Sequence, residues 1–250
     1  MRGVPFLVVS VLTVLWLSGC GQKPERPTRR PATGTAPATG REEQEGKMED
    51  VMDLAGMDVL MVVASNNFRD EEYLEPAAAL AKDKAGVFVA SSRKGICTGM
   101  LGHKVAPDLV LSDVDVSKYV AVIFVGGSGA AEYFNDSTAH KIARDAAARG
   151  ELVCAICIAP SILANAGLLK GKKATSFASE KRNLVAKGAD YVDRGVVRDG
   201  NIITADGPAN ARAFAKAICA ALAEGRAQEA PSNLLKPSRE DVPRDRPPGP

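Results

Sequence analysis

The stretch ELVCAICIAPSILANAGLLKG, residues 151–171, decides the fold. Its first part, residues 152–156, is a short apolar run of the kind that forms a buried strand. Its second part, residues 160–166, has helical spacing, with Pro160 in the first turn, where a missing N–H costs little, and Gly167 to end it. Between them stand only Cys157, Ile158 and Ala159. A strand that runs straight into a helix around a cysteine flanked by the small Ala155 and Ala159 has the makings of a nucleophile elbow. Such a turn needs small neighbours, lifts the nucleophile above the sheet and aims the next backbone N–H groups at developing negative charge. A thiol at a helix N-terminus is also expected to have a lowered pKa. The competing reading is a buried, inert cysteine at a strand end, and Ala in place of the usual elbow glycines leaves it open.

Outward from this segment, residues 58–64 (DVLMVVA), 87–91, 121–125 and 201–205 read as further buried strands. Helical spacing covers residues 71–84, 137–148 and 209–222, and the last of these puts Ala211, Phe214, Ala215, Ile218 and Leu222 on one face. Alternation of continuous apolar strands with helices predicts an α/β three-layer sandwich around a mostly parallel sheet. Ligands of such sheets sit beyond the carboxyl ends of the strands. Three segments fall there: residues 65–76, the Gly126, Gly127, Ser128, Gly129 turn, and the turn through Cys157.

The chain of 250 residues suits one such domain with appendages. Arg2 followed by the apolar run 4–17 is short for a membrane span and has the layout of a secretory signal. The run closes on Leu17, Ser18, Gly19 and Cys20, which resembles a bacterial lipobox and implies lipidation of Cys20, so export with a lipid anchor in the cell envelope is expected. Residues 21–55 are rich in Pro, Thr, Arg, Glu and Gly and read as a disordered tether; residues 225–250 read as a Pro-rich tail, leaving 56–224 as the domain. A formal charge of +2 with no dense basic stripe argues against a nucleic-acid partner.

Four segments, NNFRDEEYLEP, VIFVGGSGAAEY, AICIAPSILANAGLLKG and GADYVDRGVVRDGNIITADGP, together resemble the ThiJ/PfpI superfamily, whose members include deglycases and intracellular proteases. The resemblance implies a flavodoxin-like fold akin to class I glutamine amidotransferases. It makes Cys157 the nucleophile and Glu72, four residues before Pro76, the acid whose carboxyl hydrogen-bonds the sulfur. A carboxyl beside a thiolate is expected to stay protonated. For the group Asp70, Glu71 and Glu75 an acidic first helical turn is explanation enough. The backbone N–H groups of Gly127 and Ile158 are implied as an oxyanion hole, and for the glycines alone a tight turn serves equally well.

The chain departs from the family at its bases. Protease-like members carry a histidine directly after the nucleophile, where this chain has Ile158, and deglycase-like members bring one from the segment matching ATSFASEK, which offers Phe177. The two histidines, His103 and His140, read as structural. Peptide hydrolysis is therefore disfavoured, because an amine leaving group needs a proton. Small reactive carbonyls such as methylglyoxal, or their adducts, are the expected substrates, and a redox-sensing or protective module is the alternative. Cys154 and Cys157 form a C-x-x-C, but Cys154 sits within the strand, about 10 Å away at strand rise, so a redox pair is not expected. The pairing of Cys97, Cys154 and Cys219 stays open. No His and Cys spacing suits a metal, and the glycines lack both the G-x-G-x-x-G order and a P-loop lysine, so no cofactor is expected. The resemblance also implies a homodimer.

Overall fold

A computed structural model describes residues 52–229. The expected signal segment, Cys20 with its expected lipidation, most of the expected tether and most of the expected tail lie outside the described residues. The central sheet holds seven strands, numbered here within that sheet: β1 (Asp58–Val62), β2 (Gly86–Ser91), β3 (Leu109–Val110), β4 (Ala121–Phe124), β5 (Leu152–Ile156), β6 (Val196–Asp199) and β7 (Ile202–Ala205). Their order is β6-β7-β5-β4-β1-β2-β3, and every pairing is parallel except the hairpin of β6 and β7. All residues of β4, β5 and β7 are buried. That is why these strands read as unbroken apolar runs.

Helices α1 (Asp70–Lys82) and α5 (Ala211–Glu229) pack together on one face, while α2 (Ser137–Ala148), α3 (Pro160–Asn165) and the short α4 (Lys181–Ala186) pack as neighbours on the other. The expected three-layer, flavodoxin-like α/β sandwich is therefore present. From β1 the chain adds β2 and β3 on one side, then returns to add β4 on the other. The switch point between β1 and β4 opens a crevice at their carboxyl ends, where a ligand is received in this class of sheet.

Both domain boundaries differ from the compositional ones. Leu54, assigned to the tether, is fully buried, and its N–H donates to the Asp83 carbonyl at 2.7 Å. At the other end α5 continues to Glu229, through Gly225, and Arg226 Nη1 donates to the carbonyls of Asp53 (2.8 Å) and Ala55 (3.1 Å). The two extensions hold one another, and composition alone is blind to such a contact. Two small sheets were also not foreseen. One joins Asn66–Phe68, Cys97–Gly99 and Lys104–Val105, and the other pairs Lys173–Ala174 with Asp190–Tyr191.

Candidate active site

Cys157 follows β5 with φ of +65°, one of three described non-glycine residues in the left-handed region. This conformation costs about 1 kcal/mol or more for a residue with a Cβ and persists only where surroundings impose it. The constraint is visible. The Cys157 N–H donates to Ala205 O at 2.9 Å, and its carbonyl accepts from Phe177 N–H at 2.7 Å, so the elbow is pinned on both sides. The residue is 8% exposed.

The four acids of the 70–75 segment have four different surroundings. The Asp70 carboxylate accepts from the N–H groups of Leu101 (2.8 Å) and His103 (2.7 Å), which ties the Cys97–Val105 hairpin to the start of α1. Glu71 pairs with Arg69, and Glu75 meets Arg212 at 3.3 Å. Glu72 alone is fully buried, and its carboxyl meets the Cys157 thiol and the Gly126 N–H at looser than ordinary hydrogen-bond geometry. Its place is beside Cys157. A methyl group on Gly126 would overlap the Glu72 carboxyl and lie 2.6 Å from Cys157 Cβ, so carboxyl and cysteine flank a single glycine Cα. Pro76, inside α1, also removes the helical N–H that would return to the Glu72 carbonyl.

Burial dominates the electrostatics. Desolvation raises the Glu72 pKa from 4.5 to about 7, against the downward pull of the Cys157 thiol and the Arg69 charge. Cys157 is likewise pushed up to about 12, first by burial and then by the Glu72 charge. The lowering expected from the helix dipole is outweighed because α3 is only six residues long and the sulfur is nearly dry. The N–H groups of Gly127 and Ile158 face the sulfur and pull the other way, favouring thiolate. Gly127 reaches this position at φ of +92°, packed so closely on the 67–69 backbone that a Cβ would lie 2.5 Å from Asn67 O. Only glycine fits there.

The site residues read from the sequence therefore converge: Cys157, Glu72, and the N–H groups of Gly127 and Ile158. Ile158 is partly buried and Phe177 is 47% exposed, its N–H bonded to the Cys157 carbonyl, so both positions expected to carry a histidine hold hydrocarbon. His103 stacks on Tyr73 with ring centroids 5.6 Å apart, and His140 Nε2 lies 3.0 Å from Phe134 O. Neither ring bonds to the Cys157 and Glu72 pair. All four described cysteines are free, including Cys97, Cys154 and Cys219. Sequence reasoning overlooked Arg69, whose N–H bonds to Gly126 O and whose charge acts on Glu72. Its signal was present in the same NNFRDEEYLEP segment, as the one basic residue among four acids.

A parallel-sheet α/β protein with a strained cysteine elbow and a buried carboxyl at the switch point defines a class, and comparison supplies the family. Residues 57–221 match the model of the DJ-1/PfpI family, and the chain belongs to that family. A protein of Methanocaldococcus jannaschii, uncharacterised by its name, is 43% identical over 66% of this chain and 82% of its own. The deglycase PfpI of Pyrococcus furiosus is 32% identical over 62% of this chain and 93% of its own. Among solved structures, a ThiJ/PfpI domain protein from Brachyspira murdochii superposes with a TM-score of 0.66 at 30% identity, covering 67% of this chain and 96% of that one.

Proposed function

We propose that this protein is a cysteine-dependent enzyme of glyoxalase or deglycase type that acts on small reactive carbonyls such as methylglyoxal or their early adducts. The observation that carries the reading is the fully buried Glu72 carboxyl set against a Cys157 held in a left-handed elbow. With a pKa near 7, Glu72 is suited to take and return protons at neutral pH. The Cys157 sulfur adds to the aldehyde carbon while its proton passes to Glu72, which returns it to the new hydroxyl. The N–H groups of Gly127 and Ile158 serve the oxygen as charge develops on it. Glu72 then carries a proton from the former aldehyde carbon to its neighbour while the hydroxyl proton passes to the neighbouring oxygen, leaving a lactoyl thioester, and water releases lactate and restores the thiol. One methylglyoxal and one water become one lactate, with no external oxidant. The name of the Pyrococcus relative supports this class of substrate. Peptide hydrolysis is disfavoured because Ile158 and Phe177 supply no proton for an amine. The test is lactate formation from methylglyoxal by the full chain beside its Cys157→Ser and Glu72→Gln variants; equal rates in all three would remove the proposal.

The hydrocarbon at Ile158 and Phe177 favours one second reading, a redox-sensing or protective module in which Cys157 is oxidised to sulfinic acid. Its signature is two oxygens added to Cys157 by peroxide in a protein without turnover.

Export and lipid anchoring at Cys20 belong to the same proposal, on the strength of the Leu17, Ser18, Gly19, Cys20 order. Radiolabelled palmitate should enter the protein in a bacterial host and be lost in Cys20→Ser; equal labelling of the two would exclude the anchor. A homodimer is proposed as well. Leu74, Met100 and Leu101 are 41%, 45% and 64% exposed, and they lie on two elements that Asp70 ties together. An apolar surface of this kind asks to be covered. Sedimentation should show a dimer that Leu101→Glu converts to monomer, and a monomeric wild type would contradict it.

A further inference from the structure

Arg69 precedes the first turn of α1, and its N–H donates to Gly126 O at 2.9 Å. Gly127 packs against that same N–H so tightly that a methyl group would overlap it, and the other side of Gly126 touches Glu72 and Cys157. The Arg69 backbone is thus one glycine step from the nucleophile. Its guanidinium is held in a two-pronged contact with Glu71, Nε to Oε2 at 2.8 Å and Nη2 to Oε1 at 2.9 Å. Such a contact fixes the plane of the group. Two nitrogens are occupied and Nη1 is left over, on a side chain 29% exposed. The charge is felt by both members of the pair, since Arg69 lowers the Glu72 pKa and interacts with Cys157. Ile158 and Phe177, whose backbones bond to Cys157, are uncharged. Arg69, buttressed by Glu71, is therefore the cation whose charge acts on the Cys157 and Glu72 pair.

We propose that Arg69 makes the site selective for carbonyl compounds bearing a carboxylate a few atoms from the reacting carbon, the Nη1 edge holding the carboxylate while Cys157 meets the carbonyl. This rests on the carbonyl-directed reading of Cys157, and it adds the charge of the substrate. Glu71 acts as the positioning residue, aligning the guanidinium and tempering its charge.

The test compares two reagents of nearly equal shape, anionic iodoacetate and neutral iodoacetamide, as alkylators of Cys157 in the full chain at low salt, with the modified peptide assigned by mass spectrometry. The readout is the ratio of their rate constants. Arg69→Gln should lower the iodoacetate-to-iodoacetamide ratio about tenfold, the effect of one charge at short range in a partly desolvated site. Arg69→Lys should keep most of the ratio, Glu71→Gln should raise it, and added salt should shrink the differences. An unchanged ratio in folded Arg69→Gln overturns the proposal. Should that variant fail to fold, a ratio in Glu71→Gln no higher than in the wild type overturns it equally. Alkylation needs no turnover. A protein that makes no lactate yet shows the ratio change would sink the enzymatic reading while leaving Arg69 as an anion-selecting group.

Discussion

Cys157→Ser should lower kcat for methylglyoxal by about three orders of magnitude or more, at unchanged fold. The substitution keeps the shape of the elbow and removes only the sulfur. A serine hydroxyl is far less acidic than a thiol, and no histidine bonds to this site to take its proton. The Gly127 and Ile158 N–H groups would still face the oxygen, so binding survives while addition to the aldehyde does not. Circular dichroism and the lactate assay together separate loss of chemistry from loss of structure. A Ser variant with a tenth of wild-type activity or more would mean that Cys157 is not the nucleophile.

Glu72→Gln should flatten the pH dependence of stability. In the unfolded chain this carboxyl ionises near 4.5, and in the folded protein near 7. Between those values the folded state holds a proton that the unfolded state has released, so stability falls as pH rises. The contribution is fully present below about 4.5 and lost as pH climbs through about 7, a change of about 3 kcal/mol for a shift of this size. The physical cause is the cost of charging a fully buried carboxyl, which the Cys157 thiol, the Arg69 charge and the Gly126 N–H offset only in part. Gln stays neutral throughout. Urea denaturation at pH 5 and pH 8 should therefore show the wild type losing about 2.5 kcal/mol more than the variant across that interval. Equal losses would place Glu72 in a wetter site than the one described. The Cys157 thiol, pushed up to about 12, titrates above this window and does not confound it.

Much of the fold was legible because the elements of the central sheet are buried on both faces. Residues 152–156, 121–124 and 202–205 have no polar side to interrupt an apolar run, apart from Thr204 in the last of them. Strands such as Asn66–Phe68 and Lys104–Val105 are three and two residues long. No periodicity exists over such lengths, and their conformation is set by tertiary partners such as Asp70, whose bonds reach across 31 and 33 residues. The site divides in the same way. Cys157 was readable from its small neighbours and the Pro160 that follows. Glu72 was readable from family likeness, while its distinction from Asp70, Glu71 and Glu75 lies in burial and partners, which spacing does not report. The direction of the Cys157 pKa was misjudged for that reason: the dipole of a helix is visible in sequence, and the desolvation that outweighs it is not.

The central claim, that Cys157 attacks carbonyl carbon with Glu72 as its proton carrier, is tested most directly by acid quench. The full chain is mixed with methylglyoxal, stopped within one turnover and digested for mass spectrometry. The account predicts a three-carbon unit bound covalently as a thioester on the Cys157 peptide of the wild type, strongly reduced in Glu72→Gln, which has no group to take the thiol proton, and absent in Cys157→Ser. A wild-type protein that forms lactate with no adduct on Cys157 in any variant would contradict it.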